Sequence, residues 1–185
     1  MPGPDRIIGC AIVSVDGMIA DASGVQPDVL RIEADQKFYF STLAGADAVV
    51  QGRNSYEGGP AAPKRRRLIM TRKIAALAPE PKYPKAMLWN PAGAPLDEAW
   101  GALGLSGGVL AAIGGTDVFG YFLEYGYDTF HLSRAPRARL PGGRPVFPGV
   151  PARTPEDLLA SHGLKAGPVR RLDEETGATV VTWQR

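Results

Sequence analysis

The sequence has one cysteine, two histidines and no long apolar run, and these shortages exclude several classes of protein. With Cys10 alone, the chain can form neither an internal disulfide nor a cysteine-based zinc cluster, which suits a reducing compartment. No apolar run approaches the ~18 residues that span a bilayer, and the N-terminus lacks the pattern of an export signal. We therefore expect a soluble, cytoplasmic protein without a metal site and without a membrane partner.

The sequence also lacks an excess of either charge, because 21 basic and 19 acidic residues leave a formal net charge of +2. The basic run Lys64–Arg67 has no interleaved aromatic residues, so a solvated loop leading into a strand accounts for it. A nucleic-acid binder that uses this run is an alternative whose sign would be an affinity that falls steeply with salt. We expect a small-molecule ligand and no nucleic acid.

A length of 185 residues predicts one domain that covers residues 1–185. Apolar segments predict strands, segments with helical spacing predict helices between them, and a proline-rich loop precedes a C-terminal hairpin. The predicted class is therefore a three-layer α/β/α fold with a mixed, mostly parallel central sheet and a C-terminal antiparallel hairpin. The predicted strands are Arg6–Val15, Ala46–Gly52, Arg67–Thr71, Ala86–Trp89, Gly108–Ile113, Tyr127–Ser133, Leu164–Leu172 and Ala178–Gln184; the helices are Pro27–Leu43, Leu96–Leu105 and Thr116–Tyr125; the loop is Ala135–Pro155.

A pair of glycines, Gly114 and Gly115, follows a predicted strand and precedes a helix that begins near Thr116 and Asp117. Glycine lets backbone N–H groups approach a ligand closely, and a helix N-terminus carries partial positive charge, so the turn suits a phosphate. A tight strand-to-helix turn without a ligand explains the same pattern. Neither the Rossmann fingerprint nor the P-loop motif is present.

Two further strand ends carry polar and basic residues. Gly52, Arg53, Asn54 and Ser55 follow one strand and lead into a predicted short helix, while the triplet Thr71–Lys73 follows the next strand. The carboxyl ends of parallel strands meet at one edge of the sheet, so these turns and the glycine pair favour a dinucleotide. The cationic positions suit a 2′-phosphate and argue for NADP over NAD. Taken singly, each arginine is also explained as a solvated loop charge.

Asp35 is the notable carboxylate because it lies in a predicted helix on the side that faces the sheet. Residue 35 is about 200° from Glu33 around a helix, whereas Lys37 returns toward Glu33 and forms an i,i+4 pair with it on the wet face. Asp35 therefore lies angularly between Phe38 and Tyr39, on the face that packs against the sheet, where a carboxylate needs a partner or a raised pKa. A rim aspartate bonded to a loop is the alternative.

These segments, in this order, resemble the dihydrofolate reductase-like superfamily, and especially its branch related to the C-terminal reductase domain of riboflavin biosynthesis. The resemblance covers residues 7–148. The segments that carry it are Ser14–Ala20 (SVDGMIA), Ala46–Arg53 (ADAVVQGR), Ile113–Gly115 (IGG) and Gly142–Phe147 (GGRPVF).

The resemblance implies NADPH as hydride donor and a C=N or C=O bond that is reduced in a pterin-like or ribosylaminopyrimidine-like substrate. It also implies roles by position, with Asp35 as the catalytic and substrate-binding acid, Ser133 as its hydroxyl partner, and Phe38 and Asp16 on the substrate side. The residues implied for the cofactor are Ile12 and Ile19 at the nicotinamide, Gly52, Arg53, Asn54 and Ser55 at the adenosine phosphate, Thr71, Arg72 and Lys73 at the 2′-phosphate, and Gly114, Gly115, Thr116, Asp117, Val118 and Phe119 at the pyrophosphate.

The chain departs from the family pattern in ways that leave the substrate open. Asn54–Pro60 lacks the acidic-proline segment with a phosphate-holding arginine, the usual deaminase domain is missing, and Val25–Pro27 replaces a common tryptophan. A non-catalytic NADP(H)-binding or ligand-sequestering module of the same fold is therefore the alternative to a reductase. A homodimer is also expected, from the family's reductase branch and from a proline-rich segment and hairpin that could cover or extend a sheet edge.

Overall fold

A mixed sheet of nine strands forms the centre of the molecule in a computed structural model, which describes residues 2–55 and 62–185. The strand order is β10-β11-β8-β1-β7-β3-β4-β6-β5, and the pairs from β8 to β6 are parallel. The strands are β1 (Arg6–Val13), β2 (Met18–Ala20), β3 (Ala48–Gly52), β4 (Arg67–Met70), β5 (Leu77–Pro79), β6 (Ala86–Trp89), β7 (Val109–Ala112), β8 (Thr129–Arg134), β9 (Arg144–Pro145), β10 (Lys165–Arg171) and β11 (Thr179–Gln184).

Helices cover both faces of this sheet, which confirms the three-layer class. They are α1 (Glu33–Ala44), α2 (Leu96–Ala102), α3 (Thr116–Tyr125) and α4 (Pro155–Ser161). On one face, Leu43 of α1 packs with Ile8, Val49 and Ala111 of the sheet. On the other face, apolar residues of α2, α3 and α4 share the largest core cluster with the opposite sides of β1, β3, β7 and β8.

The predicted C-terminal hairpin is confirmed. β10 and β11 pair antiparallel, and β11 also pairs antiparallel with β8, so the hairpin extends the parallel sheet at one end. At the other end, β5 pairs antiparallel with β6. None of the helices in the described ranges is long and apolar enough to cross a membrane.

The predicted helix from Pro27 begins later than expected. A single 3₁₀ turn covers Asp28–Leu30, Arg31 departs from helical geometry with φ −88° and ψ 69°, and α1 then starts at Glu33. Leu30 is buried, so its side chain is directed inward by the 3₁₀ turn. The helix ends at Gly45 as expected, because its N–H bonds back to carbonyls of the last turn.

The predicted loop Ala135–Pro155 contains one short strand and borders a helix that the sequence reading missed. Residues of β9 pair antiparallel with β2, Met18 opposite Pro145 and Ala20 opposite Arg144. α4 begins at the end of this loop, where the Thr154 hydroxyl accepts a hydrogen bond from the Asp157 N–H. Pairing of β9 with β2 therefore holds the segment 135–148 against the residues that follow β1.

Candidate functional site

A cavity of about 1450 Å³ lies at the carboxyl edge of the parallel strands. Four strand ends supply one side of it: 52–55 after β3, 70–73 at the end of β4, 90–92 after β6 and 113–115 after β7. Residues of β1, β2 and α1 supply the other side. All fifteen predicted cofactor residues line this cavity, so the strand ends that the sequence singles out are brought together in space.

The glycine pair forms a close turn between β7 and α3. Gly114 has φ +116°, a conformation that L side chains rarely adopt, and a Cβ there would lie 3.2 Å from Phe119. Its carbonyl accepts a hydrogen bond of 2.8 Å from the Gly52 N–H, which joins the two predicted phosphate turns. Thr116 opens α3 but donates its hydroxyl to the Pro145 carbonyl at 2.5 Å, so this hydroxyl is already committed within the protein.

Three cationic side chains lie on the rim beside these turns. Arg53, Arg72 and Lys73 are exposed, line the cavity and form no ion pair with an acidic residue of the described ranges. Thr71 is buried and its Oγ1 accepts from the Lys73 N–H at 3.2 Å, which turns the chain at the end of β4. The group can hold a polyanion without first breaking an internal ion pair.

Asp35 lies at the other end of the cavity and is only 6% exposed. The angular argument from the sequence is confirmed, because Glu33 and Lys37 form an exposed pair at 3.1 Å while Asp35 faces inward. Burial raises the pKa of Asp35 to about 6, and the Ser133 hydroxyl offsets part of that rise. No loop group of the described residues bonds to it, which disfavours the alternative of a rim aspartate.

Ser133 is buried beside Asp35 but does not line the cavity. Within the described part of the chain, its Oγ forms no hydrogen bond with good distance and angle. The hydroxyl nevertheless lies close enough to Asp35 to lower the pKa of that carboxyl. Ile12 is the register partner of Ser133 in the adjacent strand and does line the cavity. The thiol of Cys10, two residues before Ile12, has a raised pKa because of burial and then because of the Asp35 charge.

Two predicted substrate residues, Asp16 and Phe38, lie outside the cavity lining. Asp16 accepts hydrogen bonds from the Ser14 hydroxyl at 2.5 Å and from the Leu140 N–H at 3.0 Å. Partial desolvation acts to raise its pKa, but these hydrogen bonds outweigh it and lower the pKa. The ring of Phe38 packs edge-on against His131 at 5.3 Å. Both side chains therefore contact protein groups next to the site and not the cavity itself.

Ile19, a predicted cofactor residue, lines the cavity from β2 and is held there by the pairing of β2 with β9. It lies in β2, whose flanking residues pair with β9, and the Val146 N–H donates to the Gly17 carbonyl at 3.0 Å. A Cβ on Gly115 would lie 3.9 Å from the Ile19 side chain, so the two approach closely. The segment after β1 therefore closes one side of the cavity near the glycine pair.

Several lining residues were missed by sequence reasoning. Asn90 follows β6 and had the same signal as the others, a polar residue after an apolar strand; its side-chain amide donates to the Ile74 carbonyl at 2.9 Å. Arg144 stands within the GGRPVF segment but had no role assigned. The predicted short helix after Ser55, and the departure at 56–60, lie outside the described residues. The other missed lining residues include Cys10, Leu30, Arg31, Gln36, Tyr39, Phe40 and Tyr121.

Comparison with models of protein families gives no match, and comparison with curated proteins gives none either. Solved structures do match over nearly the whole chain. A protein described as a riboflavin biosynthesis protein from Shewanella sp. PV-4 has a TM-score of 0.65 at 20% identity, and the match covers 97% of this chain and 98% of that one.

Two further matches come from reductases. Dihydrofolate reductase from Enterococcus faecalis, solved with NADP(H) and RAB-propyl, gives a TM-score of 0.62 at 14% identity over 100% of this chain and 99% of that one. The diaminohydroxyphosphoribosylaminopyrimidine deaminase/5-amino-6-(5-phosphoribosylamino)uracil reductase of Thermotoga maritima gives 0.62 at 17% identity, covering 98% of this chain but only 56% of that longer one. The chain therefore has the dihydrofolate reductase-like fold that its sequence motifs indicated.

Proposed function

We propose that this protein is an NADPH-dependent reductase that transfers a hydride to a C=N or C=O bond of a pterin-like or ribosylaminopyrimidine-like substrate. The observation that carries the proposal is the single cavity that joins a buried carboxyl group, Asp35, to three turns suited to phosphates. The names of the matched reductases support the same reaction class.

The residues at the strand ends fit a phosphorylated dinucleotide. The Gly114–Gly115 turn precedes a ten-residue helix, whose N-terminal N–H groups and partial positive charge favour a pyrophosphate. Arg72 and Lys73 lie at the neighbouring strand end, where they would hold a 2′-phosphate, and Arg53 would serve the adenosine side. When bound, NADPH supplies the hydride, and the protein's part is to position the two reactants.

Asp35 would hold the substrate by a protonatable ring nitrogen. With a pKa raised to about 6, its carboxyl oxygen can carry or release a proton near neutral pH, which is the range in which a general acid or base works best. The apolar walls near it, Ile12 and Leu30, exclude water and strengthen the contact. Ser133 is buried behind Asp35 and does not line the cavity, so its hydroxyl would act on the substrate only through the Asp35 carboxyl.

The decisive experiment is a titration of the pure protein with NADPH and with NADH, followed by turnover on pterins and ribosylaminopyrimidines. We expect NADPH to bind more tightly and to be oxidised by at least one substrate of the panel. NADPH that binds but is never oxidised would favour the non-catalytic module, and failure to bind either cofactor would contradict the proposal.

The double variant Arg72→Gln/Lys73→Gln tests the 2′-phosphate assignment. We expect it to weaken NADPH binding by roughly 30- to 1000-fold, because each of the two charge-assisted contacts to a phosphate contributes about 1–2 kcal/mol, while NADH affinity changes little. The matched control is Lys82→Gln/Lys85→Gln, which removes two exposed cations outside the cavity. Equal losses for NADPH in the two double variants would show that only net charge matters.

A further inference from the structure

Gln51 and Arg67 are buried polar side chains that the proposed function leaves without a role. Gln51 is 3% exposed and Arg67 is 2% exposed, on the adjacent strands β3 and β4. Arg67 Nη1 donates to Gln51 Oε1 at 2.5 Å, and the Arg67 guanidinium lies over the Tyr83 ring at 5.1 Å from its centroid. Burial of a guanidinium is unfavourable unless its N–H groups are hydrogen-bonded, so the partners of Arg67 show which part of the chain this pair stabilises.

Two further hydrogen bonds of the pair reach the residues that follow β3 and those that precede β4. Gln51 Nε2 donates to the Ser55 carbonyl at 2.6 Å, at the end of the turn that follows β3. Arg67 Nη2 donates to the Ala62 carbonyl at 2.6 Å, just before β4. One buried pair therefore holds the chain at two points, in the turn after β3 and at Ala62 before β4.

The direction of these bonds is set by chemistry. An arginine has only donors, so Gln51 must present its Oε1 to Arg67 and its Nε2 to the other side. The Ser55 carbonyl, an acceptor, lies there. Arg67 therefore determines the orientation of the Gln51 amide, and the amide in turn determines where the Ser55 carbonyl lies.

The turn held in this way forms part of the cavity. Gly52, Arg53, Asn54 and Ser55 line it, and the Gly52 N–H donates to the Gly114 carbonyl at 2.8 Å. Neither Gln51 nor Arg67 lines the cavity, so neither can touch a ligand there directly. We propose that Gln51 and Arg67 are positioning residues that hold the Gly52–Ser55 turn in the shape that binds the cofactor. The inference rests on the proposed function, because it concerns NADPH at the same site.

The variant Gln51→Glu separates positioning from folding. A glutamate keeps an acceptor for Arg67 and adds an ion pair to it, but it has no donor for the Ser55 carbonyl. We expect the Kd for NADPH to rise ~10-fold, because the turn loses the bond that orders it, while kcat at saturating NADPH stays within about two-fold of wild type. Hydrogen exchange at the amides of 53–55 should become faster, a readout that needs no cofactor.

Two further variants make the result decisive. Trp100→Phe is the control, because it removes a partly buried hydrogen bond of 2.9 Å from a buried side chain to the Gly107 carbonyl, away from the cavity. It should lower Tm and leave both NADPH affinity and exchange at 53–55 unchanged. Arg67→Lys keeps the charge but loses the planar fork, so it should weaken NADPH binding in the same direction as Gln51→Glu. It also serves if Gln51→Glu folds poorly.

The outcomes distinguish this inference from the proposed function. A wild-type protein that binds NADPH, with variants of Gln51 and Arg67 that bind it equally well, would overturn the positioning role alone. A loss of affinity in Trp100→Phe equal to that in Gln51→Glu would also overturn it, since any buried hydrogen bond would then serve. A wild-type protein that binds no NADPH would overturn the proposed function and this inference with it.

Discussion

Asp35 is a carboxyl group held at the inner end of the cavity, and its substitution is the most direct test of catalysis. Asparagine keeps the shape and removes the charge and the titratable proton. We expect Asp35→Asn to reduce turnover by ~10²–10⁴, the range for removing a positioned proton-transfer or charge-stabilising group, with NADPH affinity nearly unchanged. Glu33→Gln, an exposed change on the same helix, is the control. Unchanged turnover in folded Asp35→Asn would remove Asp35 from the mechanism and make Asp16 the next carboxylate to test.

The same residue predicts a pH dependence of stability. The pKa of an aspartate is ordinarily 3.8, whereas that of Asp35 in the folded protein is about 6, so the folded state binds more protons between these values. Stability from this group is therefore present below pH 4 and is lost as pH rises through 6. Relative to wild type, Asp35→Asn should gain stability from pH 4 to pH 7 by up to about 3 kcal/mol. Tm measured against pH for both proteins checks this, and a difference that is flat with pH would contradict the raised pKa.

For single residues, the sequence predicted which way a side chain faces better than which side chain it contacts. The helical angle between Glu33 and Asp35 was enough to place one in solvent and the other inside. It was not enough for Phe38, which is directed at His131, because the strand register that brings His131 there is a tertiary property. The bond between Gln51 and Arg67 was likewise invisible, since 16 residues separate two polar side chains in otherwise apolar strands.

The turn between β7 and α3 is the element on which the proposed binding of NADPH most depends. Gly114→Ala would place a Cβ on a residue with φ +116°, 3.2 Å from Phe119, so we expect a loss of about 1–3 kcal/mol in stability and weaker NADPH binding. Gly104→Ala is the matched control, because its φ is +76° and no heavy atom lies within 4 Å of the added Cβ. It should lose stability without losing affinity. Calorimetric unfolding and NADPH titration check both variants. Equal NADPH affinity in the two would contradict the proposed role of the Gly114–Gly115 turn in binding the cofactor.

Among the elements, strands and helices with strong apolar patterns were predictable and those defined by tertiary contacts were not. α3 was predicted with its observed bounds, since an apolar helix follows the glycine pair directly. β5, with residues that are exposed or half-buried, has little pattern of its own and exists because β6 pairs with it. β9 is two residues long and depends on β2. α4 had a readable signal, Thr154 as N-cap before Pro155, which the surrounding prolines obscured.

For the whole molecule, the order of the strands brings turns that are distant in the sequence together at one site. β1, β3, β4, β6 and β7 are parallel, so their carboxyl ends lie on one edge although their turns are far apart in the chain. This convergence could be predicted from the sequence because parallel strands in α/β proteins share an edge. Strand order does not predict the substrate end, because α1 must cross β1 to place Asp35 near Cys10 and Ser133. The pairing of Asp35 with Ser133 was implied by the family resemblance alone.

We propose that two copies of the chain associate through the outer strand β10. All seven of its residues are exposed, Val169 by 70%, and among the described strands β10 pairs only with β11. Pro168 and the cationic Lys165, Arg170 and Arg171 disfavour a continuous ladder between copies, so we expect a contact through side chains around Val169. Light scattering at micromolar protein should give twice 19.7 kDa for wild type and 19.7 kDa for Val169→Asp. Val29→Asp, at an exposed valine of the 3₁₀ turn, should stay dimeric, and a wild type of 19.7 kDa would show that the exposed strand is not an interface.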